Sequence, residues 1–369
     1  MNRLLVVPTI LMVAVAAVTI VACASKASAP GTSTPTLVPG TSGQPSGTVS
    51  TTTPGATASG DPSAQQYIVY HDDTGAIAVR DLESGKTYRQ TVDANTEVIT
   101  QTRCAQDGQN IAYLKQLFAE ATKRQIIVRG ANALPNPLSV DSLVQWIAWS
   151  RDGKKLAIVE WNGQNKNGKI EILDVASGQI ASTIMDGDQY IGNIAWSPSD
   201  DRLAFYLQTS DFSRADIYTM QSDGSALTRL TPGDGSKIWL DPAWSPDGKW
   251  IVAAGAEAET VQLYRIEADG SGITQLTTST DIYKRNPYFS PDGKIIAYTG
   301  SVVLPGVSLN YAALHQFAIF VMNPDGTAEH ALTADPRGTT PGPNDQILNA
   351  YMLGWCKAGP WLDDLWTPQ

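Results

Sequence analysis

The sequence predicts an all-β fold: a six-bladed β-propeller of four-stranded antiparallel blades, its ring closed by strands from both chain ends. Two repeated motifs each count six units, and no stretch of the 369 residues carries a convincing helical period. Four-stranded units of about 45 residues, repeated in this way, are typical of propellers. Apolar residues make up 42% of the chain, which is enough to build a core.

The first motif is an apolar strand ending in an aromatic residue, followed by a tight turn and a second apolar strand. It reads IAWSRDGKKLAIV, IAWSPSDDRLAFY, PAWSPDGKWIVAA and PYFSPDGKIIAYT, with aromatic residues at Trp149, Trp196, Trp244 and Phe289. Their spacings are 47, 48 and 45 residues. Weaker copies flank them: TRCAQDGQNIAYL, where we place Arg103 at the aromatic position, and LGWCKAGPWL, where Trp355 takes it.

The second motif is a glycine-containing turn that follows a later strand of each unit. Asp-Gly and Ser-Gly pairs supply the positive φ that tight hairpins need, and β-branched and aromatic residues flank them. The turn occurs at Gly85, Gly130, Gly178, Gly224, Gly270 and Gly326. Since two independent motifs give the same number, we expect six blades.

The phase of the repeat predicts how the ring closes. The segment from Gln66 to Val92 carries three strands but lacks the aromatic-turn strand in front of them. The segment from Tyr351 to Trp366 supplies that missing strand. A blade built from both chain ends leaves no open sheet edge between the first and last units.

The WSPDG turn, the apolar strand after it and the closing Leu-Thr pair resemble the TolB-type propeller repeat, also called the WD-like repeat. The resemblance covers about residues 66–369 and implies a propeller. It departs from TolB in that no α/β domain precedes the repeats, so the Tol–Pal role of TolB is not implied. Prolyl oligopeptidase-like enzymes carry related repeats before a hydrolase domain, and this sequence shows no such domain. The Leu-Thr pairs are Leu230-Thr231, Leu276-Thr277 and Leu332-Thr333.

Residues 1–23 predict a lipoprotein signal peptide. Arg3 precedes an almost unbroken apolar run from Leu4 to Ala22, which is typical of an export signal. The run ends in Ile-Val-Ala-Cys, which resembles a bacterial lipobox in which Cys23 is lipidated. The alternative is an uncleaved signal anchor, because about 20 apolar residues suffice to span a bilayer. Both interpretations of this segment predict that the rest of the chain lies outside the cytoplasm. It would be held on the outer side of the cytoplasmic membrane or, in a Gram-negative cell, in the periplasm or at the outer membrane.

Residues 24–65 predict a disordered tether in front of the propeller, residues 66–369. Of these 42 tether residues, 35 are Ser, Thr, Pro, Gly or Ala, and none is aromatic. Such a segment cannot bury enough apolar surface to offset its ordering entropy. The tether therefore holds the folded part clear of the membrane.

The charge and the residue counts limit the partners and cofactors. The net charge of −10 argues against nucleic acid, and against membrane binding by anything except the lipid anchor. Three Cys and three His, without metal-ligand spacing, predict no metal site and no cofactor. No nucleophile elbow, phosphate loop or zinc motif is present, so no catalytic residue is assigned. We expect a monomer.

Two cysteines form a candidate disulfide. With Arg103 at the aromatic position, Cys104 and Cys356 both follow the reference aromatic, in blades that are neighbours once the ring closes. Equivalent positions of adjacent blades are about 6–8 Å apart, which overlaps the upper end of disulfide geometry. The alternative is a pair of buried free thiols.

The candidate binding site lies on the face that carries the longer connections, those from second to third and from fourth to first strands. Residues three before the reference aromatic should ring the channel mouth there, with aromatic residues on the connections beside them. Aromatic rings and amides together could hold a peptide or a glycan. The alternative is that they pack between blades and cap loops. The binding candidates are Trp146, Asn193, Asp241, Asn286, Tyr190, Trp239 and Tyr283.

These observations favour an extracytoplasmic, lipid-anchored module that binds an envelope protein, a peptide or a glycan. One alternative is an enzyme that acts on glycans or peptides through carboxylates at the channel mouth. Another is an accessory or sensor subunit of an envelope complex. The residues favour a binding role over catalysis, since no catalytic motif is found.

Overall fold

The computed structural model describes residues 66–71, 77–90, 96–117, 119, 124–131, 137–140, 143–162, 167–257, 260–301, 317–333, 351–357 and 367–368. Within these ranges the regular elements are all strands, arranged as six antiparallel sheets. No helix in this part of the chain combines the length and the apolar character needed to cross a membrane. The predicted signal peptide, residues 1–23, and the predicted tether, residues 24–65, lie outside the described residues.

Each sheet is one blade, and its first strand is the innermost. The inner strands are β4 (Glu97–Cys104), β8 (Val144–Trp149), β12 (Tyr190–Trp196), β16 (Ile238–Trp244), β20 (Tyr283–Phe289) and β24 (Tyr351–Lys357). The second strands are β1 (Gln66–His71), β5 (Asn110–Leu117), β9 (Lys155–Asn162), β13 (Arg202–Gln208), β17 (Trp250–Glu257) and β21 (Ile296–Ser301).

The third and fourth strands complete the blades toward the outside. The third strands are β2 (Ile77–Asp81), β6 (Arg124–Gly130), β10 (Asn167–Asp174), β14 (Ala215–Gln221), β18 (Thr260–Glu267) and β22 (Phe317–Met322). The outer strands are β3 (Thr87–Gln90), β7 (Leu138–Val140), β11 (Gln179–Gly187), β15 (Thr228–Arg229), β19 (Ile273–Gln275), β23 (His330–Ala331) and β25 (Thr367–Pro368).

The predicted closure from both chain ends is confirmed. Blade 1 has the strand order β24-β1-β2-β3-β25, so its inner strand comes from the end of the described chain. Blades 2 to 6 follow in chain order, each with four strands. Neighbouring inner strands contact each other all round the ring, including β20 with β24 and β24 with β4. The one difference is the short β25, a fifth strand that pairs with β3.

The repeated turn between first and second strands is held by its serine. In blade 3 the Ser150 hydroxyl donates to Asp152 Oδ1 over 2.7 Å and accepts the Lys155 backbone N–H over 2.9 Å. Blades 5 and 6 repeat both bonds with Ser245 and Ser290. Gly153 closes the turn at φ 66°, a left-handed conformation that glycine adopts without a steric penalty. The motif therefore recurs because its turn chemistry recurs.

These turn bonds correct one part of the sequence alignment. In blade 3 the backbone N–H of Ser150 donates to Lys155 O and that of Gly153 to Ser150 O. In blade 2 the equivalent bonds start at Ala105 and Gly108. The residue before Ala105 therefore takes the aromatic position, and placing Arg103 there was wrong by one residue. Cys104 stands where other blades have Trp or Phe.

The turn carboxylates give the fold an acid dependence. The Ser150 hydroxyl, with the backbone N–H of Lys154, holds the pKa of Asp152 below its ordinary 3.8. For Asp247 and Asp292 burial acts to raise the pKa, but the serine and backbone hydrogen bonds outweigh it and the net shift is downward.

We expect the stability to fall with acid below about pH 4. Because these carboxyls bind protons less readily when folded, their contribution is complete above the unfolded pKa and is lost as the pH drops through the lower folded values. Urea unfolding between pH 6 and pH 2.5 measures this slope. A variant with Ser150→Ala, Ser245→Ala and Ser290→Ala should be less stable at pH 6 and show a shallower slope. An unchanged slope would contradict the assignment.

Candidate functional site in the central channel

The inner strands bring polar residues to the propeller axis through β-bulges. In blades 4, 5 and 6 the pairing register shifts in mid-strand, and each shift contains a residue with positive φ. These residues are Asn193 at 35°, Asp241 at 55° and Asn286 at 50°. Asn and Asp enter this left-handed region more readily than most side chains, which explains their presence at the bulges. All three are at most 2% exposed.

The bulge residues and Arg285 form one polar cluster across three blades. Arg285 Nε donates to Asp241 Oδ2 over 2.5 Å, and the backbone N–H of Asn286 donates to the same oxygen over 3.1 Å. From the other side, Asn193 Nδ2 donates to Asp241 Oδ1 over 3.5 Å. The Asp241 carboxylate therefore links blades 4, 5 and 6, and both of its oxygens are used in doing so.

Arg103 crosses the channel next to this cluster. It starts on the inner strand of blade 2, and its Nη2 donates to Asn193 Oδ1 over 3.4 Å and to the Tyr288 hydroxyl over 2.7 Å. Its guanidinium lies 5.1 Å from the centroid of the Tyr288 ring. Asn193 belongs to blade 4 and Tyr288 to blade 6, so this side chain ties three alternate blades together. It forms the floor of one end of the channel.

Beyond this floor the channel opens into a cavity of about 210 Å³, which we call the turn-side cavity. It faces the short turns between first and second strands, the face opposite to the one predicted to bind. Its cations are Arg103, Arg151 and Lys357, and no Asp or Glu is among its described lining residues. Its walls include the aromatic residues that mark the sequence repeat: Trp149, Trp196, Trp244, Phe289 and Trp355.

One of these tryptophans differs from its counterparts. The indole N–H donates to a carbonyl oxygen of the preceding blade in Trp149 (2.9 Å), Trp244 (3.2 Å) and Trp355 (3.1 Å). In the described structure Trp196 Nε1 has no hydrogen-bond partner, although the residue is only 8% exposed. The hydroxyl of Thr102, 1% exposed and also in the cavity lining, likewise has none.

The cysteines also meet at this cavity. The structure joins Cys104 of blade 2 to Cys356 of blade 1 as a disulfide, with 5.3 Å between Cα atoms and 252 residues between them in sequence. The two are not at equivalent positions, because Cys104 replaces the reference aromatic and Cys356 follows Trp355. The expected distance of about 6–8 Å was for equivalent positions of adjacent blades. It therefore does not apply to Cys104 and Cys356, which are offset by one residue and whose Cα atoms are 5.3 Å apart.

The aromatic candidates on the long-loop face are packed within the protein. Trp239 is 3% exposed, and its ring centroid lies 5.0 Å from that of Tyr264 in an edge-on contact. Trp146 and Tyr283 are half-buried. Together with the buried Asn193, Asp241 and Asn286, these positions hold structural contacts. Their role in binding stays a prediction.

Tyr190, the remaining candidate, joins an aromatic cluster between blades. Its ring lies 5.2 Å from that of Trp161, and its hydroxyl donates to Gln145 Oε1 over 2.7 Å. Burial raises the pKa of Tyr190 above its ordinary value, so the phenol stays protonated at neutral pH. Nearby, burial lowers the pKa of Arg124 to about 10, while this guanidinium donates to Val144 O over 2.5 Å.

Some predicted features lie outside the described residues. These are the lipidation residue Cys23 and most of the long connections, including residues 302–316 and 334–350. Among the described residues, no group of three or more His, Cys, Asp or Glu side chains is placed to hold a metal ion.

Comparison with known proteins agrees with the propeller fold. The family PD40, described as the TolB beta propeller domain, matches residues 130–346, more than half of the chain. An uncharacterized protein of Agrobacterium fabrum is 34% identical over 105 residues, covering 28% of this chain and 33% of that protein. Dipeptidyl-peptidase 5 of Porphyromonas endodontalis is 29% identical over 119 residues, covering 31% of this chain and 17% of that enzyme. The chain thus matches only a minor part of these relatives.

Among solved structures, TolB from Acinetobacter baumannii resembles this chain with a TM-score of 0.59. The two are 17% identical, and the match covers 80% of this chain and 67% of TolB. At this identity the likeness shows the fold alone.

Proposed function

The chain belongs to the TolB beta propeller domain family, and from this premise we propose that it is a binding module of the cell envelope, exported and anchored by a lipid on Cys23. The propeller is the rigid body that presents the site. The lipid and the tether keep it near the membrane surface. The binding role is the function that the geometry supports best.

The proposed location outside the cytoplasm is supported by the sequence and by the disulfide. The apolar run before Cys23 is typical of an export signal. Disulfides form and persist in oxidising compartments outside the cytoplasm, and Cys104 is bonded to Cys356. Both observations favour an extracytoplasmic location for the folded part.

The binding role is carried by one observation, the turn-side cavity. Ligand sites are concave and mostly apolar, with a few polar groups that fix orientation. This cavity has aromatic walls, three cations and two buried donors without partners. Its volume of about 210 Å³ is below the roughly 300 Å³ at which drug-sized sites begin, so it suits one group of a larger partner.

The test is a cross-linking pull-down from envelope membranes with the full-length protein as bait. A Lys357→Glu bait reverses one charge of the cavity lining, and a Lys249→Glu bait reverses a cation that is not in the lining and is 74% exposed. Alterations of Asp241 or Asn193 are poor tests, because these residues are buried and would report on folding.

We expect one partner with wild type and Lys249→Glu that is lost with Lys357→Glu. We also expect Cys23→Ala to abolish lipid labelling and release the protein from membranes. No specific partner with any folded bait would contradict the binding role. Turnover of a peptide or glycan by the wild type would instead favour the enzyme alternative.

A further inference from the structure

We propose that the turn-side cavity binds a carboxylate carried on an apolar group, such as the C-terminal residue of a peptide. This inference rests on the proposed binding function and specifies the chemistry of its ligand. Three features of the cavity carry it: its charge, its buried donors and its walls.

The charge of the cavity is opposite to that of the whole protein. The chain carries 36 acidic against 26 basic residues, yet the lining residues include three cations and no acidic side chain. Arg103 lines the floor of the cavity and donates there to the Asn193 amide oxygen and to the Tyr288 hydroxyl. An anionic group is therefore the complementary ligand, since charge-assisted hydrogen bonds are the stronger ones.

The buried donors point to the same kind of ligand. An indole N–H can only donate, and burying a donor without a partner is unfavourable. Three of the four equivalent tryptophans satisfy this group with a backbone carbonyl, but Trp196 does not. Thr102 adds a second buried hydroxyl without a partner. Both residues line the cavity, so the acceptor oxygens of a ligand would satisfy these donors once their side chains rotate toward it.

The walls define the rest of the ligand. Aromatic rings and proline residues at the turns dominate the lining, and they suit an apolar side chain attached next to the carboxylate. The small volume fits one residue. A peptide that ends in an apolar residue meets all three requirements, and a free aromatic acid meets them in a simpler form.

The experiment is calorimetric titration of the full-length protein in detergent with matched probes. N-acetyl-phenylalanine is compared with its uncharged amide, and a hexapeptide ending in Phe is compared as the acid and as the C-terminal amide. We expect both acids to bind at least tenfold more tightly than their amides. Tighter binding of the peptide acid than of the free acid would identify a peptide as the source. Equal affinities of acid and amide, or no binding of either acid to the native protein, would overturn the proposal.

Variants locate the ligand. Trp196→Phe and Thr102→Val remove donors that have no partner, so both should weaken acid binding several-fold. Thr102→Val keeps the shape of the side chain and should leave the thermal midpoint unchanged or higher, whereas Trp196→Phe also removes buried volume and should lower it. Lys357→Gln should weaken it about tenfold, and Lys249→Gln on the same face should not. If the acids bind but all three cavity variants bind them like the wild type, the cavity is not their site. A partner captured equally by the Lys357→Glu and wild-type baits would leave the binding function standing and remove only this inference.

Discussion

Breaking the Cys104–Cys356 bond is expected to destabilise the propeller by about 2–5 kcal/mol, far more than the loss of an exposed ion pair. The bond closes a loop of 252 residues, and the entropy that a cross-link removes from the unfolded chain grows with loop length. It also joins blade 1 to blade 2, where the two chain ends meet.

Urea unfolding followed by tryptophan fluorescence measures this effect in the Cys104→Ser, Cys356→Ser double variant. Ser at position 356 restores the residue that blades 3 and 5 have there, Ser150 and Ser245, so this change introduces no foreign group. Reduced wild-type protein should unfold at the same urea concentration as the double variant. Equal midpoints for the oxidised wild type and the double variant would show that the bond contributes nothing.

The second large effect is expected at Asp241. Asp241→Asn keeps the size and the tolerance of positive φ but removes the charge that Arg285 pairs with. Removing one partner of a buried ion pair lowers the free energy of unfolding by about 3–5 kcal/mol. Because the Arg285 side chain is 21% exposed, we expect a loss at the lower end of this range, about 3 kcal/mol. Asp241→Ala should cost more, because alanine also disfavours the left-handed backbone.

The matched control is Glu257→Gln, which breaks the ion pair of Glu257 with Lys237. The Glu257 side chain is 58% exposed, so this loss should be within about 1 kcal/mol. Urea midpoints of the three variants and the wild type give the comparison. If Asp241→Asn and Glu257→Gln were equally mild, the carboxylate would not be the link between blades 4, 5 and 6.

The fold could be predicted because turn chemistry leaves a local signature. Ser150, Asp152 and Gly153 act within one turn, so the same letters recur wherever that turn recurs. Blade 2 was misaligned by one residue because its aromatic is replaced by Cys104. Gly108, four residues after it, was the signal that could have fixed the register, since Gly153 also stands four residues after Trp149.

The candidate site was less predictable, because its contacts are distant in sequence. Arg103 meets residues 90 and 185 positions away, and no local pattern encodes such a meeting. The sequence predicted Asn193, Asp241 and Asn286 around the channel mouth on the long-loop face, but it did not predict their burial in a shared network. It also favoured the face with the longer connections, whereas the described cavity lies on the other. In the sequence Arg103 was notable only because it was placed at the aromatic position of a weak copy of the repeat.

The pairing of β1 with β24 has a consequence for the order of events during biosynthesis. Strand β1 finds β2 as soon as the first hairpin emerges, but its other edge has no partner until residues 351–357 have been made. A nascent chain therefore carries an open β-edge through most of its translation, and such edges attract other chains. We expect the ring to close only after elongation has passed β24, so that closure is the last step in forming the propeller.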